Sequence, residues 1–224
     1  MNTARDLDDP FAAKLRGFGP VGVLAVLLVL AGNVLGPFKG IPVLIWASSS
    51  RTPWREFGFV RPASWARTAI TGVVFGVAFK FAMKAILMPL LGAEPINATY
   101  SWVTGNPLAL AWMLFLVTAG GGFGEELMFR GYMFERLGKM FGSSVAAKVA
   151  IVLFTSVVFA SLHYPDQHLA GAEQAMITGL TFGTIFAVTG RIWMIMIAHA
   201  AFDIAALAMI YWGFEPSVAH LFFK

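Results

Sequence analysis

Three groups of ionisable residues stand out in this 224-residue chain, because each lies within or beside a strongly apolar stretch. A charged side chain is costly inside a lipid bilayer, so one found there predicts a functional role by default. Carboxylates and imidazoles are the usual groups of general acid–base catalysis. The three groups are Glu125-Glu126-Leu-Met-Phe-Arg130, Phe159-Ala-Ser-Leu-His163 and His199-Ala-Ala-Phe-Asp203.

Helical geometry separates the roles of the two glutamates. Glu126 and Arg130 stand four residues apart with the glutamate nearer the amino end, a favourable arrangement for an ion pair on one helix face. Glu125 lies about 140° from Arg130 around the same helix, so its partner must come from another helix. An unpaired carboxylate in a medium of low dielectric constant suits a general base. We therefore predict Glu125 as the base and the Glu126–Arg130 pair as a structural brace.

Chain spacing predicts that the three groups meet. Glu126 and His163 lie at nearly equal numbers of residues before and after a turn near residue 144. If both arms are helical, the two side chains lie at the same depth on adjacent antiparallel helices. His199 lies about 12 Å into the bilayer from the preceding basic residue, and Asp203 shares its helix face. Each group alone has a purely structural explanation, as a brace, an interfacial histidine or a packing contact. The three together favour one intramembrane pocket.

No catalytic role is predicted for the remaining histidines or for the lysines of the second apolar stretch. His168 is expected in a loop and His220 in the tail. Lys80 and Lys84 share one helix face and are expected to extend to the nearer membrane interface. A role for these lysines in the pocket is the less favoured alternative.

The composition identifies the class of protein. Hydrophobic residues make up 58% of the chain and charged residues only 12%, whereas soluble domains carry about 25% charged residues. We predict an all-α protein, a polytopic bundle of about six to eight transmembrane helices that forms a single integral-membrane domain over residues 1–224. The apolar stretches fall at 20–38, 68–92, 107–123, 147–164, 174–190 and 192–212, and a shorter one at 41–47 either extends the first helix or is re-entrant.

Charge in the connections predicts the orientation of the bundle. Residues 39–67 and 130–148 are rich in Lys and Arg, whereas 93–106 and 164–173 contain neither. Basic loops collect on the cytoplasmic side of membranes, so we place the basic set there. The net charge of +4 follows from this habit and does not indicate binding to nucleic acid.

The charges leave the N-terminal topology open between two arrangements. One crossing at 20–38 would leave the N-terminal basic residues outside, whereas two passes over 20–50 would return the chain to the cytoplasmic side.

The chain contains no cysteine. Disulfides, thiolate metal sites and a cysteine nucleophile are therefore excluded.

The ordered set of groups resembles the CPBP family of intramembrane proteases, which includes type II CAAX prenyl endopeptidases and bacterial Abi, or bacteriocin-immunity, relatives. The family pattern is EExxxR, then FxxxH, then HxxxN or HxxxD. The chain supplies each in turn, and the flanking text EELMFRGYMFERL is also similar. The resemblance covers roughly residues 100–212, which are predicted to be the catalytic core.

This resemblance implies hydrolysis of a peptide bond within the membrane. It assigns Glu125 and His163 to the activation of water, and His199 with Asp203 to the stabilisation of the intermediate. An ionised aspartate cannot donate a hydrogen bond to an oxyanion. Asp203 would therefore have to be protonated, or to act by orienting His199.

The resemblance leaves the cofactor open between none and a divalent metal such as zinc. His163, His199 and a glutamate would make a three-ligand zinc site, but the chain has no HExxH motif, and a metal-free site is favoured. The expected partners are membrane lipid and a peptide or protein substrate, in a bacterial cytoplasmic membrane. The oligomeric state stays open.

Two other functions compete with an endopeptidase. The first is a non-catalytic membrane scaffold or bacteriocin-immunity factor on the same fold, which would not require a free carboxylate opposite a histidine. The second is a transporter in which the same residues relay protons. No matching interrupted helices in the two halves of the chain support a transporter, so it ranks last.

Overall fold

The computed structural model describes residues 9–223 and shows a helical bundle, with no β-strand in that part of the chain. This confirms the predicted all-α, polytopic class. Short 3₁₀ turns and wider π turns interrupt or join several of the helices. The helices are α1 (Pro10–Arg16), α2 (Pro20–Ala31), α3 (Ile41–Ser49), α4 (Trp65–Leu90), α5 (Pro107–Phe141), α6 (Val145–Thr189), α7 (Trp193–Tyr211) and α8 (Glu215–Ala219).

Local sequence signals fix where the long helices begin. Ser64, Asn106 and Ser144 precede α4, α5 and α6, and each side-chain oxygen accepts a hydrogen bond from the backbone N–H of the third residue of its helix. These caps satisfy N–H groups that have no partner within the helix. Gly190 ends α6 in the left-handed conformation, which glycine adopts without strain.

Within residues 9–223, five helical segments are long and apolar enough to cross a membrane. Large apolar side chains such as Leu27, Ile70 and Leu108 are exposed on their outer surfaces, as expected for contact with lipid. Helix α7 is the most buried of the five and lies at the centre of the bundle. The chain is therefore an integral membrane protein. The segments are Pro20–Phe38, Trp65–Leu90, Pro107–Phe141, Val145–Thr189 and Trp193–Tyr211.

Helix α6 contains two of the predicted spans, 147–164 and 174–190. Its backbone breaks at His168, which has a positive φ of 54°. The arms on either side are antiparallel, because Gly179 lies against Ser156 and Gly183 against Val152. The prediction of a loop over 164–173 is wrong, since both arms stay helical up to the break.

Helix α5 is longer than its predicted span of 107–123. Glycines and two glutamates lower the hydropathy after residue 119, yet the helix continues to Phe141. The Glu125-Glu126 pair therefore lies near the middle of a membrane helix rather than at its end. Segment 130–148, expected as a basic connection, begins within this helix, and Arg130 is buried there.

Residues 20–50 enter the bundle and turn back. The chain reverses after Gly36, whose φ is 58°, and α3 then packs beside α2. Arg16, before α2, donates a hydrogen bond to the carbonyl of Ser50, after α3, so both ends of the hairpin lie together. The tip lies against Gly124, the middle residue of α5. Of the alternatives left open by the sequence, the structure shows a re-entrant hairpin.

The ends of the helices define two faces. On the basic face, Arg136 donates to the carbonyl of Arg16, Lys139 pairs with Glu56 at 2.8 Å, and the Ile192 amide donates to Gly58. On the opposite, distal face, the connection 91–106 contacts the α6 break and the end of α7. The predicted alternation of basic and non-basic connections agrees with these faces, except at Lys39 and Arg130.

Candidate active site

A run of glycines in α5 makes the centre of the bundle compact. Gly120–Gly124 lie in a π-helical stretch, a widened geometry that is frequent at functional sites. A Cβ on Gly122 would lie 2.7 Å from the Ala200 Cβ of α7, and one on Gly124 would lie 2.7 Å from the Lys39 Cγ. The glycines therefore let α7 and the re-entrant hairpin approach α5 from two sides.

Glu126 is the centre of a buried network. Its Oε1 accepts a hydrogen bond from Arg130 at 2.9 Å, which confirms the predicted ion pair, and it lies 2.6 Å from Nδ1 of His199. Arg130 also donates to the carbonyl of Gly179 at 3.3 Å and lies over the Phe159 ring. Neither Glu126 nor Arg130 lines the cavity described below. Together they fix the imidazole of His199 with Nε2 pointing away from Glu126.

Glu125 points away from Arg130, as predicted, but it is not unpaired. Its Oε1 lies 2.8 Å from the ammonium nitrogen of Lys39 at the tip of the re-entrant hairpin. The partner comes from another element, as predicted, but the expectations that Glu125 is an unpaired carboxylate and that Lys39 lies in a cytoplasmic connection are wrong. The other oxygen, Oε2, lies 3.8 Å from Nε2 of His199.

His163 faces the same site from the first arm of α6. Its Nδ1 lies 2.8 Å from the carbonyl oxygen of Phe159. A carbonyl can only accept a hydrogen bond, so Nδ1 carries the proton in this contact. In the neutral imidazole, Nε2 is then the nitrogen that can accept a proton or a hydrogen bond.

Asp203 completes the group on α7. Its Oδ2 lies 3.5 Å from Nε2 of His199, one helical turn away. A Cβ on Gly121 would lie 2.9 Å from that oxygen, so the glycine leaves the space that Asp203 occupies. His199 thus has carboxylates at both ring nitrogens, Glu126 on the buried side and Asp203 on the open side.

A cavity of about 400 Å³ joins these side chains. Its lining includes Lys39, Glu125, His163, His199 and Asp203, which brings four of the six predicted site residues together around one open space. A second cavity of about 450 Å³ shares Lys39, Glu125 and His163. The site is therefore accessible to a water molecule and to part of a larger ligand.

Tyr100 covers the cavity from the 3₁₀ turn Ala98–Val103. Gln167 donates a hydrogen bond of 3.0 Å to its hydroxyl oxygen. Burial, reinforced by the carboxylates of Asp203, Asp166 and Glu125, raises the pKa of Tyr100 to about 12. The phenol is therefore protonated at neutral pH and can donate a hydrogen bond into the cavity.

The two lysines of α4 do not extend to the interface as predicted. Lys84 is buried and pairs with Glu215 at 2.7 Å. Lys80 is 7% exposed, lines the cavity and donates to Oε1 of Gln174 at 2.8 Å. Both are held inside because acceptors on neighbouring elements reach them there.

The donor set does not fit a three-ligand zinc site. Among residues 9–223, no three His, Asp or Glu side chains are grouped so that they could hold a metal ion. Glu125, the glutamate that faces the cavity, is paired with the Lys39 ammonium. A dication would lie beside a fixed positive charge, so no catalytic step is assigned to a metal.

Comparison with protein families identifies the segment that carries most of this geometry. Residues 107–205 match the model of the type II CAAX prenyl endopeptidase Rce1-like family. This segment belongs to that family. The Rce1-like segment contains all six residues predicted from the sequence, so the expected resemblance is confirmed over those residues. No curated protein and no solved structure matches the chain.

Several residues of the site lie outside the Rce1-like segment or went unnoticed in the sequence. Lys39, Lys80 and Tyr100 belong to elements before residue 107. Lys39 stands 86 residues from Glu125 and shows no motif that would connect the two. The close packing around α5 could have been predicted from the glycine run, because five residues containing four glycines in an apolar stretch indicate close helix packing.

Proposed function

We propose that the protein is an intramembrane endopeptidase that hydrolyses a peptide bond of a membrane-associated protein or peptide. The observation that carries the proposal is the open space bounded by Glu125, His163 and His199 within a membrane-spanning bundle. Membership of the Rce1-like segment in a family of intramembrane proteases supports the same reaction class. Bacterial cytoplasmic membrane is the location we propose for it.

Glu125 and His163 activate the attacking water in this proposal. Oε2 of Glu125, the oxygen not bound to Lys39, takes one proton from the water. Nε2 of His163 accepts a hydrogen bond from the second O–H of the water and thereby orients it. The water oxygen then attacks the scissile carbonyl carbon, and the electron pair of the C=O bond moves to the carbonyl oxygen.

His199 and Asp203 face the developing oxyanion. In its doubly protonated form, His199 donates from Nδ1 to Glu126 and from Nε2 toward the carbonyl oxygen. Asp203 lies 3.5 Å from Nε2, so its charge can orient the ring and leave the Nε2–H to the carbonyl oxygen. The C–N bond then breaks, and the proton taken up by Glu125 passes to the leaving nitrogen.

Lys39 is the positioning residue for the base. Its ammonium holds Oε1 of Glu125, and this directs Oε2 toward His199 and the open space. The re-entrant hairpin therefore forms part of the catalytic unit, although it lies outside the predicted core of residues 100–212. This contribution supports the proposal that residues 1–224 act as one domain.

Profiling of protein N-termini tests proteolysis itself. Membranes from cells that express wild type, Glu125→Gln or Glu94→Gln at equal abundance are compared. Glu94 is the matched control, because it lies in a connection and does not line the cavity. We expect new N-termini with wild type and Glu94→Gln only. Identical profiles from all three would favour a non-catalytic membrane scaffold or immunity factor.

A further inference from the structure

Lys80 is a buried cation that the proposed reaction does not use. Helix α4 packs closely on α7, where a Cβ on Gly76 would lie 2.1 Å from the carbonyl oxygen of Ala198. Lys80 lies one turn after Gly76 in α4, and its ammonium lies 4.7 Å from the centroid of the Phe202 ring. Lys80 therefore enters the cavity beside Asp203, about one helical turn from His199.

The contacts of Lys80 leave its ammonium without a carboxylate at ion-pair distance, although Asp203 and Glu215 attract its charge from further away. Lys39 and Lys84 are each paired with a glutamate, at 2.8 and 2.7 Å. No carboxylate in residues 9–223 makes an ion pair with Lys80, whose polar partner is the neutral amide of Gln174. An ammonium has three N–H donors, so two remain for a ligand in the cavity.

A buried charge is stable only when it is paired and hydrogen-bonded. Asp203 lines the same cavity, but its carboxylate is directed to His199. The acceptor that fits two remaining ammonium donors in a cavity enclosed by membrane helices is another carboxylate. The cavity is open and large enough to admit one as part of a peptide.

We propose that Lys80, with Gln174, forms a subsite for a carboxylate of the peptide substrate. This inference rests on the proposed endopeptidase function. The one-turn offset from His199 is about 6 Å, and an extended peptide advances about 3.3 Å per residue. The carboxylate is therefore placed about two residues from the scissile bond, either as an Asp or Glu side chain or as the chain-terminal carboxylate.

Cleavage specificity of Lys80 variants tests the subsite. N-termini that depend on Glu125 are compared between wild type, Lys80→Met and Lys80→Glu at equal abundance. We expect wild-type sites to share a carboxylate at one fixed spacing from the cut. Lys80→Met should reduce cleavage at those sites by about tenfold or more, and Lys80→Glu should favour Lys or Arg at the same position.

Lys84→Met is the matched control. It removes the same residue type from the same helix one turn away, where the side chain is paired with Glu215 and does not line the cavity. We expect reduced thermal stability with unchanged cleavage sites. Unchanged sites in both Lys80 variants would overturn the subsite alone. Absence of Glu125-dependent N-termini in wild type would overturn the endopeptidase and the subsite together.

Synthetic peptides test the subsite without any variant. For one substrate found by profiling, wild-type protein in liposomes is given the parent peptide, a peptide with Asn or Gln in place of the acidic residue, and a peptide with an amidated C-terminus. Loss of cleavage with one of these changes supports the subsite and identifies which carboxylate it binds. Equal cleavage of all three would contradict it.

Discussion

At the scale of single residues, the site depends on how two adjacent glutamates are partnered. Glu126 is fully buried between Arg130 and His199, whereas Glu125 faces the cavity and pairs with Lys39. The division follows from the angle between neighbouring side chains on a helix, and it could be predicted from spacing alone. The identity of the cation for Glu125 could not be predicted, because it depends on how a distant hairpin packs.

Replacement of Arg130 by Met tests the buried brace. The variant leaves the Glu126 carboxylate without its guanidinium in a site that excludes water. Loss of one partner from a buried ion pair costs about 3–5 kcal/mol, so we expect a clear drop in thermal stability in detergent, accompanied by loss of activity. Arg191→Met removes an exposed arginine of the connection after α6 and should change stability by no more than about 0.5 kcal/mol. Equal melting of the two variants would show that the brace is not stabilising.

At the scale of elements, glycine contacts set the distances between helices. Gly76 brings α4 onto α7, and Gly122 brings α5 onto the other side of the same helix. Helix α7 carries His199 and Asp203, so the position of both residues depends on these contacts. Hydropathy predicted α4 and α7 well, but it did not predict the full length of α5, since packed glycines and an ion pair replace apolar side chains there.

Substitution of a packed glycine tests the placement of α7. The added methyl group of Gly76→Ala would clash with the backbone carbonyl oxygen of Ala198, so α4 and α7 would have to move apart. Overpacking of this kind costs about 1–3 kcal/mol, so we expect lower thermal stability and lower activity. Gly138→Ala, in an open position at the end of α5, is the control and should be neutral or slightly stabilising. Normal activity of Gly76→Ala would contradict the account.

At the scale of the whole molecule, one face collects the basic connections. Loop charge predicted which connections share a face, because Lys and Arg remain on the cytoplasmic side of a membrane. It left the course of residues 20–50 open between a single crossing, which would put the N-terminal basic residues outside, and two passes, which would return the chain to the cytoplasmic side. Contacts of Arg16 with Ser50 and Arg136 decide this point, and they depend on tertiary packing.

The natural lack of cysteine makes the topology directly testable. Single Ala13→Cys, Ser143→Cys and Ser217→Cys variants introduce one exposed thiol each. With a membrane-impermeant maleimide on oriented vesicles, we expect the first two to be labelled from one side and the third from the other. Labelling of Ala13→Cys together with Ser217→Cys would show that residues 20–50 cross the membrane once.

The central claim is that Glu125 and His163 activate the attacking water. Its most direct test is the kcat of purified variants of these residues. Purified wild type, Glu125→Gln, His163→Ala, Lys39→Met and Lys39→Arg are compared on one substrate peptide, with thermal stability measured alongside. We predict losses of kcat of about 100-fold or more for the first two variants. Lys39→Met should lose kcat with little change in KM, and Lys39→Arg should recover much of it because the ion pair is retained. Wild-type kcat in Glu125→Gln would contradict the account.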